Sequence, residues 1–283
     1  QQAFTYTPPT GFRSICSKNF AIQGPTITSP KSHFNVLTYS GNGSNGHNIT
    51  GLEFQPDFVW IKVRNQTGSH YLIDSVRGLG TGDSYRALDT AGSSSEYSND
   101  NDMLRSLNSD GFTLDNNADT TFYVNRSSDT YVAWCWKAGG AAVSNSDGTI
   151  TTSISANQTA GFSIVTYTGT GSAATIGHGL GKVPKLIIVK LRSGTQDWFV
   201  NNGMIFNDYG KYYKLNSNSV SNVSDTNVFP NTAPTSTVFS VGTDGAVNAS
   251  SSTYVAYVWS EIPGFSQFGY WNGNGNAVGP FVY

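Results

Sequence analysis

Charge is scarce in this 283-residue chain: Asp, Glu, Lys and Arg make up only 12% of it, about half the usual share. The signs nearly balance, 16 basic residues against 18 acidic, for a formal net charge of −2. That excludes the basic footprint with which proteins hold nucleic-acid backbones. Long apolar runs are missing as well. No stretch approaches the ~18 apolar residues of a membrane-spanning helix, so no membrane insertion is expected. Cysteine is limited to Cys16 and Cys135, too few for a disulfide framework. Cys135 lies between Trp134 and Trp136 in a strand-like run, where a buried thiol acts as a small apolar side chain, so both cysteines are expected free. Glutamate occurs only at positions 53, 96 and 261. The histidines are His33, His47, His70 and His178, and none has a His or Cys partner at metal-ligating spacing. No metal, cofactor or acid–base constellation is expected. Gln1–Thr7 has neither the charged start nor the apolar core of a secretory signal.

What the chain does have is aromatic residues, at 13%, set among abundant Gly, Ser, Thr and Asn. Short runs rich in Val, Ile, Tyr and Phe, broken by Gly/Asn/Asp turns, are the profile of an all-β protein. Residues 34–64 also reappear without a gap as residues 162–192, with 11 of 31 positions identical. Asn125–Lys137 matches Asn248–Ser260 at 8 of 13 positions, now offset by 123 residues instead of 128. The blocks keep their order, which marks a tandem duplication and argues for an extended, multi-domain structural or binding protein.

The expected architecture is a pair of tandem antiparallel β-sandwiches, jelly-roll-like, over 33–140 and 141–264. Residues 1–32 read as the end and linker of an upstream domain, and 265–283 as the first strand of an incomplete third repeat. Within copy one, Phe34–Tyr39, Asp57–Arg64, His70–Val76, Phe112–Asp115, Thr121–Asn125 and Tyr131–Lys137 read as strands. Gly78–Asn101 reads as loop and Asp102–Leu107 as one helical turn. Apolar residues on both faces of Asp57–Arg64 indicate a strand packed on two sides, while Lys62 and Arg64 indicate a face that reaches solvent.

Duplication also sorts the candidate site residues. Trp136 and Trp259 hold equivalent positions, and their retention marks packing. Function is sought where the copies differ, in two loops over roughly 78–108 and 201–235. The candidate ligand-binding residues there and beside them are Arg77, Tyr85, Tyr97, Trp198, Tyr209, Tyr212 and Tyr213. Aromatic side chains on loops stack on sugar rings or make protein contacts. Arg77, three residues after Asp74, is read first as an ion pair that orders a loop and second as a contact for an acidic sugar. Asp100-Asn-Asp102 lacks the glycine and glutamate of a calcium-binding EF-hand loop.

Several motifs together resemble a known series. Tyr6-Thr-Pro-Pro-Thr-Gly-Phe12, followed by Cys16, resembles the end of a SPRY/lectin-like domain in tail-fibre proteins of marine and other tailed phages. Phe54-Gln-Pro-Asp-Phe-Val-Trp-Ile-Lys62, Asp74-Ser-Val-Arg-Gly78 and Tyr131-Val-Ala-Trp-Cys-Trp-Lys-Ala-Gly-Gly140 resemble the repeated module that follows it there. Ala160-Gly-Phe-Ser-Ile-Val-Thr-Tyr-Thr-Gly169 continues the series. The resemblance implies a non-enzymatic β module in an extracellular virion appendage. It also implies partners among other virion tail proteins, self-association as a homotrimer or filament, and contact with a host cell-surface glycan.

Overall fold

The computed structural model describes residues 26–78, 80, 85–98, 103–115, 124–201, 208–217, 223–269, 273–276 and 278–279. Cys16 and Thr121–Tyr123 lie outside these residues.

After a 3-10 turn at Pro30–Ser32, the described residues of the first repeat form eight strands. They are β1 (Phe34–Ser40), β2 (His47–Thr50), β3 (Phe58–Val63), β4 (His70–Asp74), β5 (Ala87–Asp89), β6 (Leu104–Asn108), β7 (Gly111–Leu114) and β8 (Thr130–Trp136). They form a five-stranded sheet, β1-β8-β3-β4-β5, and a three-stranded sheet, β2-β7-β6. The second repeat contributes β9 (Val143–Asn145), β10 (Thr152–Asn157), β11 (Phe162–Thr168), β12 (Ala174–Gly177), β13 (Leu186–Leu191) and β14 (Trp198–Asn201). It continues with β15 (Lys211–Lys214), β16 (Val223–Ser224), β17 (Val238–Val241), the short helix α1 (Gly245–Asn248) and β18 (Thr253–Trp259). Here an eight-stranded sheet, β16-β15-β14-β13-β18-β11-β10-β9, faces the pair β12-β17. Every strand pairing in these sheets is antiparallel. The chain is an all-β protein of sandwich type, as the sequence pattern indicated.

Side-chain alternation explains the layering. Along β8, Tyr131, Ala133 and Cys135 point into the first core beside Val59, Ile61, Tyr71, Ile73 and Phe112. Cys135 is a free, fully buried thiol whose ionisation burial pushes up, so it packs as a small hydrophobe. Along β18, Tyr254, Ala256 and Val258 enter the second core with Val165, Val189 and Phe239.

The opposite faces of β8 and β18 are partly covered by each other's sheet. Phe58, Leu72 and Leu88 from the first large sheet join Phe162, Ile188, Trp198, Val255, Tyr257 and Trp259 from the second in a third apolar cluster. The Phe58 ring lies 4.9 Å from Tyr257 and 5.5 Å from Phe162, both edge-to-face. Trp136 and Trp259, equivalent in the two repeats, approach each other to 6.2 Å. Their retention in both copies therefore reflects packing between the two large sheets. Lys62 is half-buried and Arg64 exposed, as the sequence indicates, but the second copy differs. Lys190, the counterpart of Lys62, is fully buried and donates to the carbonyls of Ser93 at 3.3 Å and Leu191 at 2.9 Å. Burial lowers its pKa to about 8.

Other expectations also change. Leu104–Asn108 is a strand, not a helical turn, because Leu104 and Leu107 are drawn into the first core. Ala87–Asp89 is an edge strand inside the stretch read as loop. Residues 265–269 carry only a single bridge, Ile262 to Ser266, instead of a strand. Residues 270–272, 277 and 280–283 lie outside the described set.

Candidate functional site

The face of β3 and β8 that the second large sheet leaves open carries three indoles. Trp60 and Trp134 are cross-strand partners, with ring centres 6.1 Å apart, and Trp136 pairs with Phe58 in the same ladder. All three are half-buried. Across from them, Leu215, Asn216 and Ser217 follow β15 of the second repeat, and His70, Thr90 and Ala91 close one end. Together they line a cleft of about 940 Å³ between the repeats.

The polar groups at its margin are held in place. Trp60 Nε1 donates to Thr90 Oγ1 at 3.0 Å, and Thr90 Oγ1 donates to the His70 carbonyl at 3.3 Å. Burial, with a smaller effect from nearby Lys62, lowers the His70 pKa, so its imidazole is neutral at pH 7. Leu215 remains 38% exposed, and Val36, next to Trp134 on β1, is 41% exposed. An apolar floor of indole faces with hydroxyl, amide and imidazole groups at the rim suits a ligand with one apolar face and a polar edge. Among the described residues, no group of three or more His, Cys, Asp or Glu side chains is placed to hold a metal.

The sequence profile of a family described as "Domain of unknown function (DUF7483)" matches residues 29–283. The chain belongs to this family. A single profile spans both repeats. No curated protein and no solved structure matches the chain.

The residues singled out in the sequence lie elsewhere. Arg77 is fully buried: its Nε donates to Asp74 Oδ2 at 2.5 Å, Nη1 to Glu96 Oε1 at 2.9 Å and Nη2 to the Leu72 carbonyl at 2.9 Å. Burial alone disfavours its charge, but Asp74, Tyr257 and Glu96 outweigh that and hold the guanidinium protonated. With these donors engaged and no solvent access, it presents nothing to an acidic sugar. Its role matches the ion-pair reading, with the addition that Tyr257 OH, from the other repeat, donates to Asp74 Oδ2 at 2.6 Å. Glu96 then accepts from Arg192 Nε at 3.0 Å and Nη2 at 2.9 Å, tying the same cluster to the second repeat again.

Trp198 sits on β14, not on a loop. It is fully buried, stacks on Tyr257 with centres 6.4 Å apart, and donates through Nε1 to the Asp89 carbonyl at 2.9 Å. Tyr212 is buried against Phe199 and Phe229. Tyr85 and Tyr97 pack against the first core. Tyr209 and Tyr213 are half-buried. Tyr213, two residues before Leu215, comes nearest the cleft in sequence. The seven residues do not form one surface. Residues 79, 81–84, 99–102, 202–207 and 218–222 of the two candidate loops lie outside the described set.

Sequence reasoning passed over Trp60 and Trp134 as strand residues. A signal was present. Trp60 aligns with Ile188 and Trp134 with Tyr257, so both are places where the copies disagree.

Proposed function

We propose that this chain is a structural and host-adhesion segment of a phage tail fibre, without enzymatic activity, and that it holds cell-surface glycan in the tryptophan-lined cleft between its repeats. The observation that carries this reading is the half-exposed pair Trp60 and Trp134 beside His70, Thr90 and Asn216. A pyranose ring has a face of C–H bonds that packs on an indole and an equator of hydroxyls that seeks such polar partners. The gain comes from the C–H area removed from water, about 25 cal/mol per Å², and is modest for one ring. Single-site affinity is then weak, and repetition of the site on an appendage supplies the working strength. Low charge and the motif series that resembles tail-fibre modules support the same placement on an extracellular virion part. The proposed surface combines strand residues Trp60 and Trp134 with Thr90, Ala91 and Leu215–Ser217, which fall within the two stretches that the sequence singled out.

Binding of the purified chain to host cells and to a glycan array is the test. Trp60→Ala and Trp134→Ala are expected to reduce binding about tenfold each, the equivalent of about 1.4 kcal/mol, with folding retained by circular dichroism. Absence of binding to every host surface, or binding unchanged in both variants, overturns the proposal. Release of soluble sugar from host polysaccharide by the purified chain overturns the non-enzymatic part.

A further inference from the structure

The two large sheets share the order β1-β8-β3-β4-β5 and β11-β18-β13-β14-β15, and the second is extended at both edges, by β16 beyond β15 and by β10-β9 beyond β11. β11 is paired on its far side by β10, in the register Ser155 to Ile164 and Asn157 to Phe162. Among the described residues β1 has only β8. No strand among them pairs with its outer edge. The His33 carbonyl accepts from Lys137 N, and Gly41 N donates to the Asp129 carbonyl, both at 2.8 Å. Odd-numbered residues therefore bond β8, and the N–H and C=O groups of Phe34, Val36 and Thr38 point outward. One outward donor, Val36 N–H, meets only the side chain of its neighbour, Asn35 Oδ1, at 2.9 Å.

The chain just before β1 does not fold back as it does before β11. In the second repeat a tight turn over 157–161 closes the β10–β11 hairpin. Gly161 has φ +69 and donates to the Asn157 carbonyl at 2.8 Å. The positions 128 residues earlier hold Ser29, Pro30 and His33 in place of Asn157, Gln158 and Gly161. Pro30 opens a 3-10 turn and His33 has φ −123, so this turn is replaced. The preceding residues leave β1 instead: Ile27 packs with Ala160 and Ile262, and Thr26 Oγ1 reaches the Pro263 carbonyl at 3.5 Å.

We propose that the open edge of β1 is completed by a second copy of this chain, whose own β1 lies antiparallel along Phe34–Ser40. A single two-fold axis satisfies both edges at once, because each copy offers the other the same row of donors and acceptors. The two five-stranded sheets become one continuous sheet. Val36 lies in the cross-strand row that runs on through Trp134 to Trp60. A strand from the partner copy therefore adds a side chain beside Val36 and lengthens the wall of the cleft. The inference stands on the repeat comparison and does not depend on what the cleft binds.

Sedimentation equilibrium of the full chain, with two edge variants, is the test. Thr38→Pro removes an outward donor without touching the bonds to β8, and Val36→Lys places a charge on the edge. The wild type is expected at twice the 30.3 kDa chain mass, and both variants at the single-chain mass with unchanged circular dichroism. A monomeric wild type, or folded variants that stay dimeric, overturns the proposal. Hydrogen exchange at Phe34 and Thr38 adds a second readout. Protection that is lost in the variants together with the dimer supports it. Protection in a monomeric wild type shows that the chain fills the edge itself, which also overturns it.

Discussion

Asp74, Arg77 and Tyr257 meet with no solvent access, and the tyrosine comes from the opposite repeat. Removing one partner from such a group leaves the other charge buried without compensation. Asp74→Ala is expected to cost about 3–5 kcal/mol in urea unfolding, whereas Tyr257→Phe, which removes one hydrogen bond, costs about 1–3 kcal/mol. Glu96 carries the pH dependence. Burial alone raises its pKa, but hydrogen bonds and charge from Arg192 and Arg77 outweigh that and hold it below the ordinary value. A depressed carboxylate stabilises the fold above its unfolded pKa of about 4.3 and loses that contribution as pH falls through the folded value. The stability gap between wild type and Glu96→Gln is therefore expected at pH 7 and should close progressively below about pH 4.3. A gap independent of pH contradicts this role. The sequence placed Asp74 and Arg77 three residues apart and so made their pairing legible. Tyr257 and Glu96 were not legible as partners, since Tyr257 lies 183 positions from Asp74 and is joined to it only by sheet packing.

At the scale of elements, the residues shared by the two repeats turn out to lock the same corner twice. Tyr39 OH donates to the Val124 carbonyl and Tyr167 OH to the Val247 carbonyl, both at 2.7 Å. Asn125 Nδ2 reaches the carbonyls of Ser44 and Asp115, and Asn248 Nδ2 those of Ser172 and Gly242. Gly41 and Gly169 complete the corner, since a Cβ there would lie 2.2 Å from the Arg126 carbonyl or 2.3 Å from that of Ala249. Asn248→Ala, which removes the donor to the buried Gly242 carbonyl and to the Ser172 carbonyl, is expected to cost about 2 kcal/mol, read from chemical denaturation. Shared residues were legible as scaffold because a duplicated fold must solve each local problem twice. Strand β6 was misread because its apolar residues, Leu104 and Leu107, stand three apart as on a helix. Pairing with β7 through an irregular register brings both to the core. The tryptophan cleft was hidden for a similar reason. Strand alternation says that Trp60 and Trp134 share a face, but only the offset of one large sheet on the other decides which indoles on that face stay open.

For the molecule as a whole, the apolar layer between the repeats joins what the sequence presents as two modules. Phe58 sits in that layer, fully buried and in contact with Phe162, Tyr257 and Trp259 of the second repeat. Wild-type protein is expected to unfold in one calorimetric transition. Phe58→Ala should cost about 3–5 kcal/mol and separate that transition into two. A single transition in the variant, or two in the wild type, contradicts the coupling. Residues of both repeats line the cleft, so the proposed glycan site depends on the two together.

The most direct measurement follows the indole N–H signals of the chain's 6 tryptophans by NMR while a glycan retained by the chain on the array is added. The expected result is a shift of the Trp60 and Trp134 signals, with buried Trp198 and Trp259 unmoved. Unchanged Trp60 and Trp134 signals at saturating glycan would contradict a saccharide site between the repeats.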